Sequence, residues 1–377
     1  LQVVGNFLQN EGFKVEFAVD GISALEWVNQ QSFDLILLDI MMPEMDGFEV
    51  CKSIKSDPEK QHIPIIFLTS KTETESIVKG FELGAVDYIS KPFNKNELLA
   101  RISTQVALKK SRDKINQYLK ELEYKNKLIT YSINYAQYLQ NAVLHTNENI
   151  SEKLPEYLYL YKPKDIVSGD FYWSYSMGDL QLLALMDSTG HGVPGALMSI
   201  LGLTLLNETV KKEQIIQPNE ILNRLRNKII EALGSKGVSH EVRDGMDAAV
   251  ILLDFRNNTL QFSGANNPLY LVRDHELIKY KGDRMPVGYY ERMTGFTNRE
   301  IRLRKGDMIY LSSDGFADQF GGKEGKRFKS GSLSKLLLDI HQKSMKEQQE
   351  ILSQTFEEWK GGLEQIDDVT VLGIRIK

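Results

Sequence analysis

Four separated segments each set an aspartate beside an apolar strand pattern: Asp170 in VSGDFYW, Asp187 in LALMDSTGHGVPGALMS, Asp314 in MIYLSSDGFADQF, and the neighbours Asp367 and Asp368 in QIDDVTVLGIRI. Turns at strand ends are where a scaffold gathers side chains from distant parts of a chain. No cysteine and a single histidine, His191, accompany these acids. Hard oxygen donors of this kind suit Mg²⁺ or Mn²⁺ and not Zn²⁺. The chemistry expected is hydrolysis at a two-metal site, in which ions about 3.5 to 4 Å apart lower the pKa of a shared water and clamp the oxygens around a phosphoryl group. Glycines in STGHGVPG allow a sharp strand-to-helix turn there, and the free N–H groups of that helix favour an anion. His191 could protonate a leaving alkoxide, the equal alternative being an exposed loop histidine without a role. Asp318, in DGFADQF, reads as a solvated turn carboxylate, and Trp173 and Trp359 read as packing residues.

A second set of polar residues lies upstream: Asp39 in LILLDIMMPEMDG, Thr69 in FLTS, and Tyr88 with Lys91 in DYISKPF. A carboxylate that accepts a phosphoryl group needs a cation nearby, and Lys91 offers a compact one. The elements around them alternate. Helical patterns at 1–13, 21–31, 47–56, 73–84 and 94–110 are interleaved with strand patterns at 14–19, 33–39, 63–70 and 86–93. Such alternation predicts a parallel, doubly wound sheet with its ligands beyond the carboxyl ends of the strands, where Asp39, Thr69 and Lys91 fall.

The four-aspartate segments sit in a different pattern. Strands at 180–187, 246–273 and 307–314 come in hairpin-like groups with FRNNTL as a turn, and helical runs at 195–212, 219–233 and 332–360 stand apart from them. Segregation of this kind predicts antiparallel sheets flanked by helices. Between the two patterns, Leu108, Ile115, Leu122, Ile129, Ala136 and Val143 recur every seven residues as d positions, with Leu119, Asn126 and Ile133 at a. A sustained heptad with one asparagine at a predicts a parallel two-stranded coiled coil, and so a homodimer, the alternative being one amphipathic helix packed on its own domain. The organisation expected is therefore residues 1–105, a helical connector over 106–150, and residues 151–377.

The 377-residue chain has a net charge of −5 and is 42% hydrophobic, which supplies no general attraction to nucleic acid or anionic membrane. Its single cysteine, Cys51, excludes an internal disulfide framework and reads as a core thiol. The run LILLDIMM is too short to span a bilayer and contains an aspartate. A cytoplasmic protein is expected.

Residues 1–105 resemble the receiver domain of two-component response regulators, on the segments around Asp39, Thr69, Tyr88 and Lys91. The resemblance implies a flavodoxin-like fold in which Asp39 is phosphorylated by a cognate histidine kinase. Lys91 would pair with it, Thr69 would report the phosphoryl group, and Tyr88 would change rotamer. It also implies a first strand carrying an acidic pair for Mg²⁺, which would precede residue 1, so this Mg²⁺ site is incomplete and phosphorylation is expected to be poor.

Residues 163–377 resemble the metal-dependent (PPM) serine/threonine phosphatases, specifically the bacterial SpoIIE/RsbU branch, through SGDFYW, MDSTGHGVPGALM, GANNPLYLV, LSSDGFAD and DDVTVLGI in that order. That likeness implies a sandwich of two antiparallel sheets and two Mn²⁺ or Mg²⁺ ions. Asp187 and the Ser188 carbonyl would bridge, Asp170 would hold one ion, and Asp314 and Asp367 the other. Asp367 is preferred over Asp368 because it matches the aspartate of the family's D-[ND]-x-[ST] ending. The branch lacks the arginine with which eukaryotic relatives hold substrate phosphate; Lys164 is a candidate replacement, although a plain surface lysine is the simpler reading. The implied substrate is a phosphorylated anti-sigma-factor antagonist. Together the resemblances predict a response regulator whose output is a phosphatase; the alternative is a noncatalytic, phosphorylation-dependent binding module.

Overall fold

The computed structural model describes residues 2–70, 74–144, 154, 156–234 and 244–377, and the chain divides into two compact units, Leu1–Lys127 and Leu128–Lys377. In the first unit the order is α1 (Gln2–Asn10), α2 (Gly21–Gln30), β1 (Ile36–Asp39), α3 (Gly47–Ser56), β2 (Ile65–Thr69), α4 (Thr74–Glu82), β3 (Asp87–Ser90) and the start of α5 (Lys95–Leu144). The three strands form a parallel sheet in the order β1-β2-β3. Every residue of β2 is buried, because successive side chains point to opposite faces and both faces are covered. Ile65 and Phe67 pack with Val50, Cys51 and Ile54 of α3, whereas Ile66 and Leu68 pack with Leu98 and Ile102 of α5. Capping boxes at Asp20/Ser23 and Asp46/Glu49 set the starts of α2 and α3. Cys51 is a core thiol, and burial pushes its pKa up.

One expected strand is not formed. Residues 14–19 carry no strand, and Phe17 and Val19 are exposed. Among the described residues no strand lies beside this segment, and β geometry without a ladder partner leaves backbone N–H and C=O groups unsatisfied. Its alternating pattern is therefore not enough to make it a strand.

The connector is helical: α5 runs unbroken through Leu144, and residues 145–150 of the expected linker lie outside the described residues. Leu108, Ile115, Leu119, Leu122 and Ile129 are each more than half exposed. From Ile133 onward part of this face turns inward, while Val143 at the last d position stays exposed. Ile133 and Ala136 are half-buried, and Gln140 and Leu144 are buried in the second unit.

The second unit contains β4 (Tyr157–Lys162), β5 (Asp170–Met177), β6 (Leu180–Ser188), α6 (Gly192–Asn207), α7 (Pro218–Gly234), β7 (Met246–Asp254), β8 (Thr259–Ala265), β9 (Leu269–Arg273), β10 (Glu276–Tyr280), β11 (Arg299–Arg302), β12 (Met308–Ser312), α8 (Gly315–Asp318), the short pair β13 (Phe320–Gly321) and β14 (Lys326–Arg327), α9 (Ser330–Ile340), α10 (Met345–Lys360) and β15 (Val369–Arg375). Two five-stranded antiparallel sheets form, in the orders β10-β9-β12-β15-β4 and β11-β8-β7-β6-β5. Alternation along the strands builds three layers of core. On β6, Leu183 and Leu185 join Ile309, Leu311 and Leu372 between the sheets, while Leu182, Ala184 and Met186 face Leu203, Leu206 and Leu225 of α6 and α7. On β12, Tyr310 turns the other way, onto Leu337, Leu352 and Phe356 of α9 and α10. Trp173 is fully buried and Trp359 half-buried, both as packing residues.

The helical run expected over 332–360 is two helices. Ser344 caps α10 through the Glu347 N–H, and Glu347 returns the bond to the Ser344 N–H. The segment Gly192–Lys212 is long and apolar enough to cross a membrane by composition, a longer apolar stretch than LILLDIMM; half of it is buried inside the second unit, as a core helix is.

Candidate active site

One end of the sandwich collects the acids. Asp170 opens β5, Asp187 lies near the end of β6, and the two face each other in register; Asp247, near the start of β7, faces Asp187 from the other side. Direct opposition in an antiparallel pair puts Cα atoms about 4.5 to 5.5 Å apart, so three carboxylates stand in a row across three strands. The facing sheet delivers the others. Asp314 follows β12, and Asp367 and Asp368 precede β15, the strand that pairs with β12. The Ser313 N–H donates to the Thr370 carbonyl at 3.0 Å, which ties the two turns together, and the Asp314 N–H reaches an Asp187 carboxylate oxygen at 3.5 Å.

The local backbone explains the glycines. A Cβ on Gly169 would stand 2.8 Å from the Gly190 carbonyl oxygen and 3.1 Å from that of Ser188. The turn carrying Asp170 thus lies directly against the turn carrying Ser188, whose carbonyl was expected to join Asp187. Gly190 has φ +84°, the left-handed conformation that lets the chain leave β6 and enter α6 within a few residues.

The electrostatics are those of crowded, buried carboxylates. Burial, followed by the neighbouring acids, pushes Asp170 up to about 7, although Thr370 and Ser313 act the other way. Asp187 is pushed well above the usual carboxylate range by burial and then by Asp170, Asp314, Asp247 and Asp367. Asp314 is raised to about 6 by partial burial and then by Asp367, Asp318 and Asp247. Asp367 is also raised, chiefly by burial. Carboxylates destabilised by desolvation and by one another regain their charged form when a cation joins them. The buried Oδ2 of Asp170 has no hydrogen-bond partner. Among the described residues no three acidic or imidazole groups are drawn tightly around a single point, so the fit of divalent ions rests on this all-oxygen donor set and the orphaned Oδ2.

Asp367 and Asp368 divide the work. Asp368 is buried, and its carboxylate accepts from the Lys164 N–H and the Gly169 N–H, each at 2.7 Å, which makes it a brace for the Asp170 turn. Asp367 is the one whose charge is felt by Asp187 and Asp314. His191 stands before α6 with Nδ1 at 2.6 Å from the Asp165 carboxylate and Nε2 at 2.7 Å from Lys164 Nζ. The Lys164 ammonium also donates to the Ile366 carbonyl at 2.7 Å, so this lysine is built into the site and is not the plain surface residue its sequence context suggests. With the ammonium donating to Nε2, the ring proton sits on Nδ1 and is donated to Asp165. Asp318 is paired with Arg327 at 3.0 Å.

Two acids were missed by sequence reasoning. Asp247, in GMDAAVILLD, carries the same signal as the others, an aspartate opening an apolar run. Asp165 carries none, because its partner His191 is distant in sequence.

In the first unit Asp39 ends β1, and its carboxylate is bonded to the Lys91 ammonium. The Lys91 N–H reaches the Thr69 carbonyl at 2.7 Å. Thr69 and Tyr88 line a shallow cleft together with Phe67, Phe81 and Asp87. The structure thus brings Asp39, Thr69, Tyr88 and Lys91 to one end of the sheet.

Residues 178–377, more than half of the chain, match the Stage II sporulation protein E (SpoIIE) family. The chain belongs to the SpoIIE family. Residues 1–103 match the response regulator receiver domain. The SiaA-PP2C domain of Pseudomonas aeruginosa is 33% identical, covers 67% of this chain and 99% of its own, and superposes with a TM-score of 0.61. Other relatives match over shorter stretches. A probable cyclic di-GMP phosphodiesterase of Vibrio cholerae is 46% identical over 110 residues, 28% of this chain and 25% of that protein. The regulatory protein VanRc of Enterococcus gallinarum is 43% identical over 105 residues, 28% of this chain and 44% of that protein. This SpoIIE-family chain thus spans a quarter to under half of these two curated relatives, and it joins a receiver domain to a PPM phosphatase domain.

Proposed function

We propose that the chain is a two-component response regulator whose output is dephosphorylation of phosphoserine or phosphothreonine on a partner protein, with a receiver at 1–105, a connector at 106–150 and the phosphatase at 151–377. The observation that supports this most is the convergence of Asp170, Asp187, Asp314 and Asp367 at one end of the SpoIIE-type sandwich. Asp187 and the Ser188 carbonyl would hold both of two Mn²⁺ or Mg²⁺ ions, Asp170 one of them, and Asp314 and Asp367 the other. Bound ions would supply an activated water and offset phosphoryl charge. Asp247, held at 2.7 Å by the Asn266 amide, would add negative charge at the rim of this set. Lys164 would face the substrate phosphate. His191, held through Nδ1 by Asp165, would have to exchange its Lys164 contact for a second proton at Nε2, and that proton would pass to the leaving alkoxide. The family likeness favours an anti-sigma-factor antagonist as substrate and a cytoplasmic setting. Mn²⁺-dependent phosphate release from a phosphoserine protein tests the reading; no release by the full chain across a Mn²⁺ titration would overturn it in favour of a noncatalytic binding module.

Asp39 would be the phosphoryl acceptor from a histidine kinase, with Lys91, Thr69 and Tyr88 as the responding residues and Mg²⁺ required. The expected outcome is that incubation with a small-molecule phosphodonor and Mg²⁺ labels the chain at a low level, as the incomplete Mg²⁺ site dictates, and that Asp39→Asn abolishes the label. Persistent labelling of that variant would move the acceptor elsewhere.

The exposed heptad stripe from Leu108 to Ile129 would pair in parallel with a second copy, with Asn126 setting register. Leu122→Glu places a charge at a d position and should convert the dimer to monomer in sedimentation at micromolar concentration. An unchanged mass would assign the stripe to some other contact.

A further inference from the structure

The end of the connector helix makes a contact that the reading above does not use. Gln140 is 2% exposed. Its amide nitrogen donates to the Ser168 carbonyl at 2.6 Å and contacts the Ser199 hydroxyl at 2.9 Å, while its carbonyl accepts from the Ser168 N–H at 3.2 Å. Both backbone groups of one residue are therefore satisfied by one side chain, as a neighbouring strand would satisfy them. The amide orientation is fixed by this pairing, since the reverse would set carbonyl against carbonyl and N–H against NH₂.

Ser168 is two residues from Asp170. Its hydroxyl accepts from the Asp170 N–H at 3.0 Å, and the intervening Gly169 N–H donates to Asp368 at 2.7 Å. Ser199 lies on α6, the helix that follows the Asp187 turn, and donates in addition to the Ala196 carbonyl at 2.8 Å. Gln140 thus spans the two chain segments that carry Asp170 and Asp187. It also occupies an a position of the connector's heptad register, seven residues after Ile133. A buried glutamine at such a position is costly unless all its polar atoms are used, and here they are used by Ser168 and Ser199 of its own unit.

We propose that Gln140 is a positioning residue for the metal-binding carboxylates, a clamp through which the last turns of the connector helix fix the Asp170 turn against α6. This inference rests on the proposed role of Asp170 as a metal ligand. Removing the clamp leaves Ser168 free to shift, and Asp170 then spends less time where an ion needs it. The effect falls on ion affinity first and on turnover at saturating ion much less.

The test measures Mn²⁺ binding to the full chain by calorimetry, alongside the Mn²⁺ dependence of phosphate release. Gln140→Leu keeps the shape and loses all three contacts; a weakening of Mn²⁺ binding by tenfold or more is expected. Ser199→Ala removes one contact and keeps the rest, so a two- to threefold weakening is expected, and it serves should the leucine variant fail to fold. Leu253→Ala, in the core between the sheets at the end of β7 opposite from Asp247, controls for destabilisation alone and should bind Mn²⁺ as the wild type does. Binding by both clamp variants within a factor of 1.5 of wild type, or a loss in Leu253→Ala equal to theirs, would overturn the proposal. A wild-type chain that binds no Mn²⁺ would overturn the underlying metal-site reading and the clamp with it, which is a different result from a wild type that binds and variants that match it.

Discussion

Asp187→Asn is expected to lower Mn²⁺-dependent phosphate release by at least about a thousandfold, on the order of 4 kcal/mol in transition-state stabilisation, while raising the melting temperature of the metal-free protein. The two effects have one cause. Asp187 sits between Asp170 and Asp247 on adjacent strands and is also acted on by Asp314 and Asp367. In the absence of cations its charge is therefore opposed by four neighbours and by burial, and an amide of equal size removes that burden. With cations present the same convergence is what holds them, and the amide loses the shared ligand. A residue that merely braces the fold behaves in the opposite way, losing stability and activity together. Activity assays and thermal unfolding of the same preparation decide between the two. An Asp187→Asn protein that is inactive and less stable than wild type without metal would make Asp187 structural and shift attention to Asp314.

Much of this site is legible in the sequence because the chemistry falls at strand ends. Asp170, Asp187, Asp314 and Asp367 each open or close an apolar run, and an antiparallel sandwich brings such ends together whatever the loop lengths between them. Choosing Asp367 over Asp368 rested on a family pattern; in the structure Asp368 is occupied by the N–H groups of Lys164 and Gly169, which leaves Asp367 to face the other acids. What sequence could not supply is register. Asp247 matters because it lies opposite Asp187 and not one residue along, and a shift by one would turn its side chain to the other face. The pairing of His191 with Asp165 depends in the same way on tertiary placement.

The segment at 14–19 shows the converse limit. Its alternation satisfies the local rule for a strand, but strand formation is a property of pairs, and among the described residues it has none. Within α9 and α10 the local signal was present and unread: Ser344 followed by Glu347 is a capping box that breaks an otherwise continuous helical pattern. Gln140 combines both cases. Its heptad position points to a helix–helix seam, and only the structure shows that by this turn the seam face has been taken up by the phosphatase unit.

Metal-free protein should melt at a higher temperature as pH is lowered from about 8 to about 5.5, and saturating Mn²⁺ should reverse the sign of that slope. Burial raises Asp170 from 3.8 to about 7, and Asp187, Asp314, Asp367 and Asp247 are all shifted in the same direction. Between the unfolded and folded values the folded state binds more protons, so stability is retained at the acid side of the window and lost as pH rises through the folded pKa. For Asp170, which is fully buried, the part of its rise lying between pH 5.5 and about 7, about one and a half units, corresponds to ~2 kcal/mol at roughly 1.4 kcal/mol per unit. That is on the order of 5 °C for a domain of this size. Carboxylates shifted the other way, such as Glu213 at about 2, are charged in both states above pH 5 and add no slope in this window. Ions reverse the sign because they bind only the deprotonated groups, so their contribution grows with pH. Asp170→Asn removes one of these contributions and should make the metal-free profile shallower. A metal-free melting temperature that is level or rises from pH 5.5 to 8 would show that the five carboxylates are neither buried nor coupled as the geometry requires, and the site would then lack the electrostatic pressure that selects divalent cations.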